Sequence, residues 1–293
     1  MDLSVIILSY NTRDITDKCL SRLQVAVDRL EKMGSKAEVI VLDNASSDGS
    51  VEIIKKNHPW ATLIESKENT GYSKGNNIAV KRAKYPLILF LNSDVFVEDD
   101  TLVRSLEYFS NHNCDVLGVK LVYENGKLQP SAGDLPNPIN SIFWILGLGK
   151  IATFHPKSPQ FFSKEKKVGW VMGAFLLIKK EIFVKLGGFD EKIFMYMDEV
   201  DLCKRMNSHG LKVCFTPSIV VTHLHRASSK ENPEIAFSKE IKGISYFLKK
   251  YYSNSYFLVK LILILGLILR IVTFSLIGQT KRAKAYLEGL RYV

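Results

Sequence analysis

Short apolar runs alternate with segments of helical periodicity along the first 123 residues of the chain. Between the first two runs, apolar residues recur every three or four positions from Ile15 to Leu30, which predicts an amphipathic helix. Strands that alternate with helices build parallel sheets, so the pattern predicts an α/β fold with a mostly parallel sheet. The predicted strands are Leu3 to Leu8, Glu38 to Leu42, Thr62 to Ile64, Leu87 to Leu91 and Val116 to Val122.

The regular pattern lapses after Tyr123. Residues 124–167 are rich in Pro, Asn, Ser and Gly but contain the apolar stretch Ile139 to Leu148, which predicts a long functional loop. Regular elements are predicted again beyond it. They are a strand at Val168 to Ile178, helices at Glu181 to Leu186 and Glu199 to Ser208, and strands at Leu211 to Phe215 and Ile219 to Thr222, separated by Pro217.

Polar residues follow three of the predicted strands, as Ser9-Tyr10-Asn11, Asp43-Asn44 and Asn92-Ser93-Asp94. The carboxyl ends of parallel strands meet at one edge of a sheet, where ligands bind, so these loops are expected to share a cleft. The alternative is that Asp43 and Asp94 only cap the helices that follow.

A glycine-rich segment, Gly71 to Asn77, opens a predicted helix and could face phosphate oxygens with its backbone N–H groups, with Lys74 adding charge. A flexible turn followed by a helix cap explains the same residues. No GxGxxG motif follows the first strand, which excludes the usual dinucleotide site.

Taken together, these motifs resemble family 2 glycosyltransferases with the GT-A fold, and most closely the bacterial rhamnosyltransferase-like polysaccharide enzymes. The resemblance covers roughly residues 3–230. It implies a Rossmann-like mixed sheet flanked by helices in a domain 1–235, with a nucleotide-sugar-binding half 1–122 and an acceptor half 123–235. A helical, membrane-associating extension would follow at 236–293. The motifs are Ser-Val-Ile-Ile-Leu-Ser-Tyr-Asn, Val-Leu-Asp-Asn-Ala-Ser-Ser-Asp-Gly-Ser, Glu-Asn-Thr-Gly-Tyr-Ser-Lys-Gly-Asn-Asn and Leu-Asn-Ser-Asp.

The resemblance implies contacts of named residues with two substrates. Trp170, Gly173 and Ala174 would contact a glycan acceptor. The residues implied in binding a nucleotide-diphospho-sugar donor are Ser9, Tyr10, Asn11, Asp43, Asn69, Gly71, Lys74, Asn77, Asn92 and Ser93.

The catalytic groups implied by the resemblance depart from the usual motifs. The Asp-x-Asp metal motif is Asn92-Ser93-Asp94 here, so Asp94 and His223 are the implied ligands of Mg²⁺ or Mn²⁺. His225 and Ser228 lie close by and could contact phosphate. The usual Glu-Asp pair is Asp198-Glu199, which leaves the identity of the general base open. We expect Asp198 to cap its helix and Glu199 to act as the base.

The expected activity is transfer, with inversion, of a sugar from dTDP-rhamnose or a UDP-sugar to a glycan hydroxyl. The acceptor would be lipid-linked, in cell-surface polysaccharide synthesis. A non-catalytic, membrane-docked protein that binds carbohydrate or nucleotide-sugar and retains the fold is the alternative. A nucleotidyltransferase would need a Gly-rich, Arg-containing loop after the first strand, which the sequence lacks.

From residue 241 onward the chain carries nine basic residues and one acidic residue, which supply +8 of the net charge of +10. These bases bracket an apolar run from Tyr256 to Gly278, about 34 Å long as a helix and long enough to cross a hydrocarbon core of about 30 Å. Arg270 lies too deep for comfortable spanning, so we expect an interfacial helix on an anionic membrane surface. A buried core helix is the alternative, and no nucleic-acid partner is expected.

The chain opens with Met-Asp-Leu-Ser and no basic segment, so we expect no signal peptide and a peripheral or monotopic position on the cytoplasmic face of the cell membrane. Four scattered cysteines without a CxxC pair predict neither a disulfide framework nor a zinc site, and they favour a reducing compartment.

Overall fold

The computed structural model describes residues 1–146, 154, 156, 158–224 and 233–293, without the side chains of 233–237. The α/β class predicted from the sequence is confirmed. The strands are β1 Leu3–Ser9, β2 Ala37–Asp43, β3 Thr62–Glu65, β4 Leu87–Asn92, β5 Val95–Phe96, β6 Val116–Val122, β7 Leu128–Gln129, β8 Ala132–Gly133, β9 Lys166–Lys167, β10 Trp170–Val171, β11 Phe175–Lys179 and β12 Val213–His223.

Helices flank a mixed sheet. Within the described residues, ten strands form this sheet in the order β3-β2-β1-β4-β11-β6-β12-β5, with β7 paired to β6 and β9 to β12. The helices are α1 Arg13–Lys32, α2 Ser50–Asn57, α3 Gly71–Val80, α4 Thr101–Asn111, α5 Pro138–Ile145, α6 Lys180–Lys185, α7 Asp198–Ser208, α8 Pro233–Tyr251, α9 Ser253–Leu276 and α10 Thr280–Leu290.

The first half of the sheet is parallel, as the alternating pattern predicts. Strand β1 pairs in parallel with both β2 and β4, and β2 pairs in parallel with β3. The register sets Ser9 opposite Asp43 and Leu8 opposite Asn92, so the polar strand ends lie side by side. The antiparallel strand β11 then separates β4 from β6.

The core forms where the apolar stripe of α1 packs on the sheet. Cys19, Leu23 and Leu30 of α1 are buried together with alternate residues of β1 such as Val5 and Ile7. The same spacing that predicts this helix from the sequence therefore supplies its buried face.

The second half differs from the predicted elements in three places. The run Val168 to Ile178 is not one strand, because the chain turns at residues 172–174 between β10 and β11. Pro217 does not divide two strands, because β12 continues through it with a shift in register between Thr216 and Val220. The predicted loop 124–167 contains the helix α5, and residues 147 and 148 of its apolar stretch lie outside the described residues.

The chain forms two compact units. The first comprises Met1–Ala132, Ser158–Phe194 and Asp198–Ser228, and it contains the β1–β6 and β11–β12 strands. The second comprises Gly133–Lys157, Met195–Met197 and Ser229–Val293, where α9 packs against α5, α8 and α10. The division at residue 235 expected from the sequence stays a prediction.

A disulfide joins Cys114 to Cys214 within the first unit. Cys214 lies on β12 beside the strand β6 that follows Cys114, so the two neighbouring parallel strands are bridged at the same end. No feature of the sequence indicates this pair, because 100 residues separate the two cysteines and no motif links them. The expectation that the cysteines form no disulfide is therefore wrong for this pair.

We predict that the bridge stabilises the first unit, because it closes a long loop of the unfolded chain. The variant Cys114→Ala/Cys214→Ala is expected to lose about 2–5 kcal/mol of unfolding free energy in urea under oxidising conditions. Wild-type protein in reductant should unfold at the urea concentration of the variant. A wild-type curve that does not respond to reductant would contradict the prediction.

Candidate active site

Asp43, at the end of β2, is a buried carboxylate with one unsatisfied oxygen. Its side chain is 1% exposed, and Oδ1 accepts a hydrogen bond of 2.8 Å from the backbone N–H of Ser46. Oδ2 has no hydrogen-bond partner among the described residues. Helix α2 begins only at Ser50, with Gly49 as its N-cap, so Asp43 does not cap it. An unsatisfied buried oxygen favours a hydrogen-bond donor from a ligand.

A cavity of about 410 Å³ adjoins this carboxylate. Its volume lies in the range of small-molecule sites. The residues that line it are Asp43, Ala45, Ser46, Ser47, Gly49, Val51, Glu52, Glu65 and Ser66.

The loop after β1 contributes one exposed ring and several hydrogen bonds that fix it. The Asn11 N–H donates to Ser46 Oγ at 2.9 Å, and Asn11 Oδ1 accepts from the Ser47 N–H at 2.9 Å. Ser9 is fully buried, with its hydroxyl 3.1 Å from that of Thr16. Tyr10, the aromatic residue of the segment Ser9-Tyr10-Asn11, is 36% exposed and presents its ring to solvent.

Asn44 ties the end of β2 to the start of α3, a role that sequence analysis missed. Its Oδ1 accepts from the Thr70 N–H at 2.8 Å, and its Nδ2 donates to Asn69 Oδ1 at 2.9 Å. Asn69 Oδ1 also accepts from the Gly71 N–H at 3.0 Å. The one available signal was the position of Asn44 directly after Asp43.

At the N-terminus of α3, the first two N–H groups of the glycine-rich segment are bonded within the protein. The N–H of Gly71 donates to Asn69, and the N–H of Tyr72 donates to the carbonyl of Phe194 at 2.7 Å. Gly71 has φ +75°, and a Cβ there would lie 2.5 Å from the Phe194 carbonyl oxygen, so glycine is required. These two N–H groups are therefore already satisfied within the protein.

The two other predicted residues of this segment have different surroundings. Lys74 is exposed, with Nζ 3.4 Å from Glu68 Oε1, and remains accessible to an anion. Asn77 instead holds a neighbouring loop, because it donates to the Phe189 carbonyl and accepts from the Phe189 N–H, both at 2.9 Å. The structure thus assigns Asn77 a structural contact.

Asp94 and His223 are brought together from opposite parts of the chain. Strand β12 pairs with β5, and this places His223 Nε2 3.1 Å from Asp94 Oδ1. Both side chains are buried, with 6% of the histidine and 9% of the aspartate side-chain surface exposed. Helix α4 begins at Thr101, so Asp94 caps no helix. The structure thus brings together the two residues that the sequence implied as metal ligands, and their role stays a prediction.

Gln129 orients the histidine, although no sequence pattern connects the two residues. Gln129 Oε1 lies 3.1 Å from His223 Nδ1 and can accept its proton, and the other ring nitrogen, Nε2, is the one beside Asp94. Gln129 is 1% exposed, and its Nε2 has no partner in the part of the chain that the structure describes. Histidine ligands of metals are commonly oriented in this way by a second hydrogen bond.

The pair fits a divalent cation by separation and by chemistry. Two ligands at about 2.1 Å from an octahedral ion lie about 3.0 Å apart when they are adjacent, close to the observed separation. A carboxylate with an imidazole suits Mn²⁺ better than a purely hard ion. Among the described residues no third His, Cys, Asp or Glu joins the pair, so further ligands would come from substrate oxygens or water.

Residues 170–174 comprise β10 and the turn that follows it, and this turn bonds to the end of β4 and to α3. The Asn92 N–H donates to the Ala174 carbonyl at 3.1 Å, and the Tyr72 hydroxyl donates to the Gly173 carbonyl at 2.9 Å. Trp170 is only 2% exposed and packs in the interior. Ser93 lies at the same edge, with its hydroxyl 3.3 Å from that of Thr12.

Asp198 and Glu199 form a hydrogen-bonded acid pair at the start of α7. Burial raises the pKa of Asp198 well above its ordinary value, and the adjacent Glu199 charge and hydrogen bond raise it further. Burial also raises the pKa of Tyr72, with smaller contributions from Asp198 and Glu199, so Tyr72 lies beside the pair. Glu199 is half-buried and Asp198 is buried, so Glu199 is the more accessible member of the pair.

The expected helix cap at Asp198 is corrected by the structure. Helix α7 starts with Asp198 as its first residue, preceded by Tyr196 and Met197 with φ of 66° and 70°. The predicted neighbours His225 and Ser228 lie outside the described residues.

The sequence profile of glycosyl transferase family 2 matches residues 4–187. The matched region covers more than half of the chain and contains Asp43 and Asp94. The chain belongs to glycosyl transferase family 2. Asp198, Glu199 and His223 lie beyond the region of the family match.

Two bacterial relatives resemble the chain over most of its length. An N-acetylglucosaminyl-diphospho-decaprenol L-rhamnosyltransferase of Mycobacterium tuberculosis is 26% identical over 273 residues, 86% of this chain and 85% of the relative. Rhamnosyltransferase WbbL of Escherichia coli (strain K12) is 27% identical over 265 residues, 86% of this chain and 96% of the relative. Family 2 membership and these relatives support glycosyl transfer in glycan synthesis.

A solved structure shares the fold. Mannosyltransferase PcManGT from Pyrobaculum calidifontis, in complex with GDP-Man and Mn²⁺, aligns with a TM-score of 0.61 and 16% identity. The alignment covers 98% of this chain and 85% of that one. The fold of this family 2 chain is therefore GT-A.

We predict that Asp198→Asn stabilises the protein at neutral pH. The folded-state pKa of Asp198 lies above the unfolded value, so the native state binds more protons and wild-type stability falls as pH rises above about 4. The amide introduced by the substitution carries no charge to desolvate. The melting temperature is expected to exceed that of wild type by about 2 °C or more at pH 7, with a smaller difference at pH 4. Equal melting temperatures at both pH values would contradict this.

Proposed function

We propose that the protein is an inverting glycosyltransferase that moves a sugar from a nucleotide-diphospho-sugar to a hydroxyl of a lipid-linked glycan. The observation that carries the proposal is the buried pair Asp94 and His223, 3.1 Å apart at the sheet edge where Asp43 keeps an unsatisfied oxygen. This edge of the sheet thus offers a cation site for the diphosphate and a hydrogen-bond acceptor for the nucleobase. A nucleotide-diphospho-sugar donor requires both.

Donor binding is assigned to the cavity beside Asp43. The unsatisfied Oδ2 would accept an N–H of the pyrimidine, and Tyr10 offers an exposed ring near the same loop. The exposed Lys74 can approach the diphosphate charge. The names of the two rhamnosyltransferase relatives support dTDP-rhamnose as the donor, with a UDP-sugar as the second choice.

Asp94 and His223 would hold Mg²⁺ or Mn²⁺, which supplies positive charge to the diphosphate leaving group. The PcManGT complex with GDP-Man and Mn²⁺ supports this assignment. Gln129 keeps the Nδ1 proton of His223 in place, so that Nε2 stays available as a ligand.

Glu199 is assigned the role of general base. In one displacement the acceptor oxygen forms a bond to the anomeric carbon, while the bond from that carbon to the diphosphate oxygen breaks. The acceptor proton passes to Glu199, and the nucleoside diphosphate leaves. One displacement inverts the anomeric configuration. Burial and the adjacent Glu199 raise the pKa of Asp198, which favours Glu199 over Asp198 as the member that is ionised before transfer.

The assignment of a lipid-linked acceptor rests on the names of the relatives and on the apolar helix. The name of the mycobacterial relative describes a lipid-linked sugar diphosphate as its acceptor. Helix α9 has 24 residues, and an 18-residue window of it has a mean hydropathy of 2.5, so the helix is long and apolar enough to contact a bilayer. We therefore place the enzyme at the cytoplasmic face of the cell membrane, as a peripheral or monotopic protein.

Release of free nucleoside diphosphate tests the proposal. Purified protein is incubated with dTDP-rhamnose or a UDP-sugar, Mn²⁺ and a polyprenyl-diphospho-N-acetylglucosamine acceptor. Release that requires acceptor supports transfer, whereas donor binding without release favours the non-catalytic binding protein.

We predict that Asp94→Ala abolishes metal-dependent transfer and leaves the fold intact, because it removes one of two protein ligands. Gln129→Leu should keep both ligands but weaken Mn²⁺ binding about 10–100-fold, because the His223 Nδ1 proton loses its acceptor. Isothermal titration of Mn²⁺ in the presence of nucleoside diphosphate measures both effects. Asp99→Ala, at an exposed carboxylate paired with Arg29, is the control. Unchanged Mn²⁺ affinity in both variants would exclude the site.

We predict a split between binding and chemistry for two other carboxylates. Asp43→Ala should weaken donor binding about 10-fold or more with a small effect on kcat, because its hydrogen bond is equal in ground and transition states. Glu199→Gln should lower kcat about 100-fold or more. Steady-state kinetics with Glu181→Gln as an exposed control separate the two. An inactive Asp198→Asn beside an active Glu199→Gln would reverse the assignment within the pair.

A further inference from the structure

Helix α9 has two apolar faces in different surroundings. Val259, Leu263 and Leu267 are buried within the second unit, where α9 packs on α5, α8 and α10. The opposite face is bare, with side chains between 43% and 81% exposed. This exposed set, here called the apolar stripe, is Phe257, Leu258, Leu261, Leu265, Ile268, Leu269, Val272 and Leu276.

The apolar stripe is continuous and narrow. At about 100° per residue its eight members fall within an arc of about 120° along the whole helix. Soluble monomers rarely expose a contiguous apolar surface of this kind unless it binds something.

Arg270 lies on the other side of the helix, about 160° from the centre of the apolar stripe. Its guanidinium donates to the carbonyl of Trp144 at 3.0 Å and also to the carbonyl of Ile145 and the hydroxyl of Tyr286. The charge that interrupts the apolar run in the sequence therefore satisfies the C-terminal end of α5. It also fixes which face of α9 is turned outward.

The second unit, which carries the apolar stripe, is strongly basic, with nine basic residues and one acidic residue from residue 241 onward. Lys260 is on α9 itself, and Arg282 of α10 lies over the ring of Phe274 at 5.5 Å. Lys281 and Lys284 of α10 are exposed. An exposed apolar stripe on a strongly basic unit complements a surface with acyl chains and anionic headgroups, and it complements a second copy of this basic unit poorly.

We propose that the apolar stripe of α9 lies in the plane of an anionic lipid bilayer, at the boundary of headgroups and acyl chains, with Arg270 and the packed face turned away from the lipid. Contact of the apolar stripe with a bilayer deepens the proposed function, and the biological role of that contact rests on the proposed function. A spanning orientation is disfavoured because the packed face would carry the bases of α8 and α10 into the hydrocarbon.

Flotation of the full-length protein tests the surface. Vesicles of phosphatidylcholine are compared with vesicles that also contain phosphatidylglycerol. Wild type is expected to float with the anionic vesicles and to lose binding as salt is raised. Leu265→Glu/Leu269→Glu should reduce partitioning about 100-fold, because two side chains that enter the acyl region become charged. Val25→Glu/Val184→Glu, at exposed apolar positions of the first unit, is the matched control and should float like wild type.

Three results would overturn the proposal. The first is equal flotation of the stripe variant and wild type. The second is resistance of bound wild type to alkaline extraction, which indicates a spanning helix. The third is a wild-type dimer in light scattering that the stripe variant disrupts. A thermal-shift measurement with dTDP-rhamnose on the same samples keeps the two proposals apart. Donor stabilisation without flotation contradicts the membrane surface alone, and flotation without donor stabilisation contradicts the transferase alone.

Discussion

Carboxylates held away from water at one edge of the sheet are the constraint on which the structure depends. A buried carboxylate must receive hydrogen bonds, a cation or a proton, because its charge is costly without water. Asp43 has an oxygen without a donor among the described residues, Asp94 lies against an imidazole, and Asp198 shares a hydrogen bond with Glu199. The three solutions differ, and in the proposed function they would serve recognition of the nucleobase, neutralisation of the diphosphate and acceptance of a proton by Glu199.

The fold holds these groups in place with side chains that fasten loops to strand ends. Asn44 fastens the start of α3, Asn77 fastens the loop at Phe189, and the Tyr72 hydroxyl fastens the carbonyl of Gly173. Each of these side chains is occupied within the protein, so it contributes rigidity and offers the substrate little. This arrangement fits a site that works by positioning, because a displacement of reacting atoms by about 1 Å costs about 100-fold in rate.

The sequence predicted the secondary-structure elements and the residue types of the site better than it predicted the contacts between those residues. Strand ends such as Asp43 and Asn92 follow from local periodicity, and parallel pairing then brings them together. The contact of Gln129 with His223 joins residues 94 positions apart, and no local pattern encodes it. The turn at Gly173 was missed for a related reason, since the apolar residues around it continue the strand pattern although the Tyr72 hydroxyl leaves no room for a Cβ there.

Arg270 shows why the position of a charge along an apolar helix does not by itself fix the depth of that helix in a membrane. In the sequence it interrupts a run long enough to span a bilayer, and its cost would depend on how deep it lies. In the fold its guanidinium is bonded to the carbonyls that end α5, so α9 keeps one apolar face for the protein and another for its surroundings. The arginine then sets the rotation of the helix, and this rotation decides which apolar residues remain exposed.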